Sequence, residues 1–301
     1  MKIFISGSGG FIGSNLSKKL SQNYEVISCS TLKENKLKLQ NFKSIENLNS
    51  LNINDLEGVE VLIHAAAVAH KNLTQDTIKQ IKEVNITQTQ RLFRLAVDAK
   101  VKKIIFLSSV AVYGNSTEVS GVNESSEPKA NNYYAESKKL SEDYLKSLAQ
   151  EYPIKYSIFR LPMVYGAGAP GSFLMLKILS RKRFFLPIPL LDNGNKRTLV
   201  NIDKVIEIIS RLIPSQDSEV VNIVNSDNVS TFDLLNFVLS KKNKVLRLRV
   251  GKHLNNFLLR FPFINSWYVK YYSSFVVKSK YNHYQKVNNI DDTLSDLDEY
   301  L

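Results

Sequence analysis

Tyr134 and Lys138 stand four apart in the run Tyr133-Tyr134-Ala135-Glu136-Ser137-Lys138, so on a helix they share one face. The pairing suits proton transfer. A phenol, with an ordinary pKa of about 10, is a poor base at neutral pH. A nearby ammonium favours the phenolate and lowers that value. Ser109 lies upstream in Ser108-Ser109-Val110-Ala111-Val112-Tyr113-Gly114. Its hydroxyl can bind a substrate oxygen and steady the same proton transfer. Either the serine or the Tyr/Lys pair alone is a weak signal. Together, in this order and after a glycine-rich turn, they point to one catalytic group.

Elements with a fixed hand must bring these residues together. Lys2 to Ser6 (KIFIS) has strand length and composition, Gly7-Ser8-Gly9-Gly10-Phe11-Ile12-Gly13 follows at once, and Ser14 to Leu20 reads as a helix. Strand, glycine turn and helix form the phosphate-cradling half of a βαβ unit. Gly7 allows the sharp turn, Gly10 allows backbone to approach a pyrophosphate, and Gly13 allows the helix to lie close on the sheet. A plain tight turn is the competing reading. Tyr24 to Ser28 reads as the second strand. Ser28-Cys29-Ser30-Thr31 and Lys33 then stand where an acid would favour NAD and a cation NADP, a lean towards NADP or towards both. Each of Lys33, Lys36, Lys38 and Lys43 taken singly reads as a solvated loop lysine. Val59 to Ala67 runs into small residues that let a flat cofactor lie on backbone, and His64 there reads as a packed core histidine. Asp76 to Lys100 has helical spacing, and Lys103 to Ser109 (KIIFLSS) reads as the next strand. Strands alternating with helices predict an α/β fold of Rossmann type, a doubly wound parallel sheet with a smaller C-terminal substrate lobe.

Composition narrows the class. The 301 residues can bury a substantial core, and a hydrophobic fraction of 44% is ordinary for a soluble globular chain. No apolar run reaches the roughly 18 residues of a membrane span. Glycines break the first apolar run, so the start does not read as a signal peptide. One cysteine, Cys29, fits a reducing cytoplasm. His64, His70, His253 and His283 show no ligand spacing, so no metal is expected. The net charge is +12, and Leu234 to Ile290 holds eleven Lys/Arg and no Asp/Glu before a tail with five acids. A solvated basic surface is the plain reading; an anionic substrate or acidic lipid is the functional one. Nucleic acid ranks last, since none of its usual motifs appears.

GSGGFIG at Gly7–Gly13, IHAAA at Ile63–Ala67, Val84-Asn85, SSVAVYG, YAESK at Tyr134–Lys138, FRLPMVYG at Phe159–Gly166 and RTLVNID at Arg197–Asp203 together resemble the extended short-chain dehydrogenase/reductase superfamily, the NAD-dependent epimerase/dehydratase family. The resemblance spans roughly Met1 to Leu239. It is nearest to bacterial nucleotide-sugar 4-epimerases and 4-ketoreductases of surface-polysaccharide pathways, on the run VYGAGAPGSFLMLKILSRKRFFLPIP followed by NKRTLVNID. By that resemblance Tyr134 is the acid/base, Lys138 tunes it and binds the nicotinamide ribose, and Ser109 assists. Phe11 and Ile12 meet the pyrophosphate of NAD or NADP, and Ala65, Ala66 and Asn85 line the cofactor groove. Arg197 grips the substrate diphosphate, a task suited to a forked guanidinium, with a surface salt bridge as the plain alternative. Ser172 contacts the sugar nucleotide, where the family often has asparagine. Met163 replaces a polar residue of the UDP-glucose 4-epimerases, a departure from those enzymes. A 4,6-dehydratase would carry an acid pair where Val110 and Ala111 stand. A non-catalytic dinucleotide sensor would usually lack the Tyr/Lys pair. Dimerisation through a helix pair is common in the look-alikes and is not legible here.

The dinucleotide domain is expected over 1–166 with 197–228 returning to it, and the substrate lobe over 167–196 and 229–301. Leu186 to Arg197 reads as a loop, Val220 to Val224 as a strand rejoining the sheet, and Ser230 or Thr231 as a helix cap. Leu32–Asn54, rich in Lys and Asn, reads as a variable loop region. The aromatics of Phe257–Phe261 and Phe263–Phe275 read first as the core of the small lobe and second as a lipid-touching surface.

Overall fold

The computed structural model describes residues 1–39, 41–69, 74–114, 121–183, 186–224, 228–251 and 274–280. In chain order the elements begin β1 (Lys2–Ser6), α1 (Phe11–Leu20), β2 (Glu25–Ser30), β3 (Phe42–Ser44), β4 (Val61–His64), α2 (Gln75–Gln80) and α3 (Thr89–Asp98). They continue with β5 (Lys103–Ser109), α4 (Tyr133–Glu151), β6 (Lys155–Leu161), β7 (Met163–Tyr165), α5 (Ser172–Ser180), β8 (Ile188–Asp192) and β9 (Arg197–Asn201). Last come α6 (Ile202–Leu212), β10 (Glu219–Asn222), β11 (Asn228–Val229), α7 (Thr231–Ser240) and β12 (Val245–Arg249).

Two compact units divide the chain. The first comprises Met1–Gly114, Ser126–Leu161 and Ile202–Ile223. Its seven strands pair in the order β10-β6-β5-β4-β1-β2-β3, and every pairing is parallel. Strands covered on both faces read as continuous apolar runs, and β5 is buried from Lys103 to Ser108. Phe4, Leu62, Ile104, Phe106 and Ile158 from the strands pack with Leu92, Phe93 and Ala96 of α3 and Leu145 and Leu148 of α4. The chain runs outward from β1 to β2 and β3 on one side, then from β4 onward on the other. The order therefore reverses between β1 and β4, and the crevice beyond their carboxyl ends is where open α/β sheets bind ligands.

Helical periodicity over Asp76–Lys100 does not reveal a break in its middle. Ile81–Gln88 is π-helical, between α2 and α3. The Thr89 hydroxyl donates to the carbonyl of Val84, and Asn85 is drawn inward and buried. Such wide turns often mark functional positions.

The second unit comprises Asn115–Ser125, Pro162–Asn201 and Val224–Leu301. Here β9 pairs with β7 in parallel and with β11 antiparallel. That pairing puts Met163–Tyr165 and Arg197–Asn201 in this unit, where the sequence boundaries of 166 and 197 assign them to the dinucleotide domain. Phe275 bridges Arg197 and Val277 bridges Val122, so the short described segment 274–280 joins the same ribbon. Tyr165, Phe173, Leu176, Leu199, Val229 and Val238 form its core. The expected loop over Leu186–Arg197 contains a strand instead. β8 pairs with β12 in parallel because Leu190 packs against Phe232 and Leu239. Pro189 is compatible with this two-stranded pairing, where each strand is an edge. In the lysine-rich stretch Leu32–Asn54, β3 adds an edge strand to β2. Residues 257–261 and 263–273 lie outside the described residues, as do His70, His253 and His283.

Candidate active site

The opening turn is shaped by backbone crowding. Gly7 has φ +79°, and a Cβ there would sit 2.4 Å from the Ala66 nitrogen at the end of β4. At Gly13 a Cβ would lie 2.2 Å from the Gly7 oxygen, so α1 can approach the turn only without a side chain. Gly9, which the spacing argument treated as an extra, is crowded by side chains rather than backbone, since its Cβ would meet Ser30 Oγ at 2.3 Å and Leu32 Cδ1 at 2.9 Å. The missed signal was the small polar residue closing β2. Gly10 differs, because its Cβ would meet only the Gly7 oxygen, at 3.4 Å. It caps α1 without a side-chain hydrogen bond, and no acid lies in the first turn. The amides of Phe11 and Ile12 thus open a helix whose positive end is covered by no capping side chain. Uncapped opening amides of this kind fit a dinucleotide pyrophosphate.

Ala65 and Ala66 follow β4, with the Ala65 amide donating to the Ser6 carbonyl at 2.9 Å. Asn85 secures the next residues. Its Oδ1 accepts from the Val68 amide at 2.7 Å, and its Nδ2 donates to the Val68 carbonyl at 3.0 Å and to Ser137 Oγ at 3.2 Å. The Ser141 hydroxyl donates to the Asn85 carbonyl at 2.7 Å. Asn85 therefore ties the segment after β4 to α4, with its amide already engaged by protein groups.

Ser109 ends β5 and caps the 3₁₀ turn Val110–Tyr113, its Oγ accepting from the Ala111 amide at 3.2 Å. Gly114, at φ +73°, closes that turn so tightly that a Cβ would strike the Lys129 carbonyl at 2.2 Å. The Asn132 side chain caps α4 by accepting from the Ala135 amide at 2.9 Å. Tyr134 and Lys138 then follow on one face. Burial pushes the Tyr134 phenol up to about 12, and a hydrogen bond with Ser109 acts in the opposite direction. Lys138 is buried, with Nζ donating to the Leu107 carbonyl at 2.8 Å and lying 4.6 Å from the Phe106 ring centre. Burial brings its ammonium down to about 7, against the pull of Glu142. The sequence reading had the lysine acidify the phenol. In this geometry the ammonium donates to the Leu107 carbonyl, and burial is the larger influence on the phenol.

Behind this cluster lies a charged group that sequence reasoning missed. Glu142 is one turn beyond Lys138 on α4. It accepts from Ser108 Oγ at 2.5 Å and from Arg160 of β6 through Nε at 3.1 and 3.2 Å and Nη2 at 2.6 Å. Arg160 Nη1 donates to the Tyr113 hydroxyl at 2.9 Å, which donates to Asn222 of β10 at 2.9 Å. Burial works against the Arg160 charge, yet the hydrogen bonds and charge of Glu142 raise its pKa. One signal was available, an arginine inside the apolar strand Ile158-Phe159-Arg160-Leu161, which a buried position tolerates only with a partner.

His64 is a packed core histidine. Its ring nitrogens meet Ser6 Oγ at 2.6 Å and Thr89 Oγ1 at 2.9 Å, and burial followed by the Lys138 charge lowers it to about 3. Cys29 is buried and its thiol is pushed up to about 12 by burial, an unreactive state. Lys33 is exposed. In the second unit Ser172 opens α5 after Gly171, Arg197 opens β9 half-buried, and Met163 is exposed at the start of β7. Among the described residues no group of His, Cys, Asp or Glu could hold a metal ion, and no helix is long and apolar enough to cross a membrane.

Comparison with known proteins adds the lineage. The model of the NAD dependent epimerase/dehydratase family matches residues 3–225. A UDP-glucose 4-epimerase of Vibrio cholerae is 30% identical over 241 residues, 77% of this chain and 73% of that protein. The dTDP-D-glucose 4,6-dehydratase of Homo sapiens is 30% identical over 195 residues, 60% of this chain and 55% of that protein. The UDP-glucuronic acid 4-epimerase from Bacillus cereus, solved in complex with NAD, aligns with a TM-score of 0.67 at 25% identity, covering 83% of this chain and 88% of that one. The family match begins inside β1 and ends beyond β10, so it spans every element of the parallel sheet, and the chain belongs to the NAD dependent epimerase/dehydratase family of extended short-chain dehydrogenase/reductases.

Proposed function

We propose that the chain is a nucleotide-sugar 4-epimerase or 4-ketoreductase that uses NAD or NADP on a UDP-sugar, in the cytoplasmic synthesis of surface-polysaccharide precursors. One observation carries the reading. Tyr134 and Lys138 share one face of α4, which packs on β5, and the Ser109 hydroxyl that acts on the Tyr134 phenol stands at the carboxyl end of β5, the strand next to β4 at the point of sheet reversal. Bound nicotinamide supplies the hydride acceptor and donor. Tyr134 exchanges a proton with the C4 oxygen of the sugar. A phenol held near 12 is protonated at neutral pH, ready to protonate that oxygen as a C4 ketone is reduced. As that proton leaves, the Ser109 hydroxyl stabilises the phenolate that forms; in the oxidising direction the phenolate takes the C4 hydroxyl proton back. Lys138, fixed on the Leu107 carbonyl, is assigned the nicotinamide ribose. Ser172 and Arg197 are assigned the sugar nucleotide and its diphosphate. In an epimerase the 4-keto sugar turns over before it is reduced on its other face; in a ketoreductase only the reduction occurs and the dinucleotide exchanges.

The resemblance to a 4,6-dehydratase favours a second reading at equal identity over a shorter span. Val110 and Ala111 count against it. They follow Ser109 where those enzymes carry an acid pair, and Val110 is buried.

Mass spectrometry of small molecules released from the purified protein, followed by a screen of UDP-sugars, tests the proposal. Retained dinucleotide with interconversion of C4 epimers indicates the epimerase. Stoichiometric NADH or NADPH oxidation with a 4-keto sugar indicates the reductase. Loss of the 6-hydroxyl as water would instead establish the dehydratase.

A further inference from the structure

One face of α5 is turned to solvent although it is apolar. Phe173 and Leu176 point into the core of the second unit. Leu174, Met175 and Ile178 are 51%, 56% and 42% exposed. Ile178 lies four residues after Leu174 and three after Met175, so the three form one patch. Single exposed leucines are ordinary, but a contiguous patch marks an interaction surface.

The same face continues into cations. Arg181 and Lys182 stand three and four residues after Ile178. The helical turn carries on through them, with the Arg181 amide donating to Ile178 and the Lys182 amide to Leu179. Arg181, Lys182 and Arg183 are exposed and join no ion pair among the described residues. Leu186 follows at 79% exposed. Asn243 Nδ2 donates to the Lys182 carbonyl at 3.2 Å, tying the turn before β12 to this end of α5; β12 carries exposed Leu246 and Leu248. Between Glu151 and Asp192 the sequence contains no acid.

We propose that α5, Arg181, Lys182, Arg183 and Leu186 dock on an anionic lipid bilayer, the apolar patch entering the headgroup boundary and the three cations meeting the phosphates. Apolar side chains beside lysine and arginine on one helix face are the composition of an interfacial helix. Charge decides between this occupant and a second copy of the chain. Two copies meeting along α5 would bring six cations together, and residues 152–191 offer no acid to meet them, whereas an anionic surface neutralises them all. A net charge of +12 adds long-range attraction to the same surface. The inference is independent of the catalytic assignment.

Flotation of the full-length protein with phosphatidylcholine vesicles, with and without phosphatidylglycerol, tests it. Wild type should float with the anionic vesicles at low salt, stay behind with pure phosphatidylcholine, and be released by high salt. Each cation near an anionic surface is worth about fivefold in partitioning. The triple change Arg181→Glu, Lys182→Glu, Arg183→Glu should therefore lower binding by at least about a hundredfold. Leu174→Gln, Met175→Gln, Ile178→Gln should abolish flotation with the melting temperature unchanged, since all three side chains face solvent. Failure of wild type to float overturns the proposal. So does flotation that survives both triple changes, which would put the contact elsewhere, or a dimer that the glutamine changes convert to monomer in a chain that never floats.

Discussion

Replacing Glu142 by Gln should be among the most costly single changes in the parallel-sheet unit. Glu142 and Arg160 are 0% and 2% exposed, and the pair shares three hydrogen bonds while Ser108 supplies a fourth. Removing the carboxylate charge leaves a guanidinium buried and unpaired, at a cost of about 3–5 kcal/mol. At roughly 2–4 °C per kcal/mol for a chain of this class, the melting temperature should fall by about 10 °C. The double change Glu142→Leu with Arg160→Met removes both charges and should recover most of that loss, because a well-packed apolar pair can equal a buried ion pair. A double-mutant cycle by thermal or urea unfolding measures the coupling. The carboxylate also supports the Lys138 cation, whose value of about 7 is raised by Glu142 against desolvation. In Glu142→Gln any limb of the kcat/KM profile set by Lys138 should move to lower pH. A loss below about 1 kcal/mol for Glu142→Gln, or a double variant as unstable as the sum of its singles, would refute the reasoning.

Gly13→Ala would place a methyl 2.2 Å from the Gly7 carbonyl oxygen, forcing α1 off the turn, and should cost about 1–3 kcal/mol and most of the dinucleotide affinity, read by unfolding and by NAD titration. Asn85→Ala strips both polar atoms of Val68 of their partner and should destabilise by about 1–3 kcal/mol while weakening NAD binding, measured the same way. His64 is held neutral in the fold, about 3 against 6.5 unfolded, so between those pH values the unfolded chain binds the extra proton. Stability should fall as pH drops from about 6.5 towards 3, and His64→Gln should flatten that slope in acid unfolding curves.

What could be read from residue order was whatever depends on neighbours in the chain. The glycine turn, the strands Lys2–Ser6 and Lys103–Ser109, the Tyr134/Lys138 stripe and the Ser230 cap are all local, and each appears close to where the spacing puts it. The Glu142–Arg160 pair was not legible, because it depends on α4 packing over β5 and β6. Nor was β8, whose five residues become a strand only through β12, fifty-odd residues on. Apolar periodicity over Asp76–Lys100 marked a helix but not the π turns that bury Asn85. The surroundings of the Tyr134 and Lys138 pair were hidden for a similar reason. Spacing shows that an ammonium shares the face, but only the fold shows that Leu107 holds it and that burial dominates the phenol.

Turnover by Tyr134→Phe tests the account most directly. The variant keeps the ring in place and removes only the hydroxyl. In the UDP-sugar screen, against a sugar that wild type converts, kcat should fall by about 10²–10⁴-fold with dinucleotide retention unchanged. Conversion at the wild-type rate by a folded, dinucleotide-loaded Tyr134→Phe would contradict it.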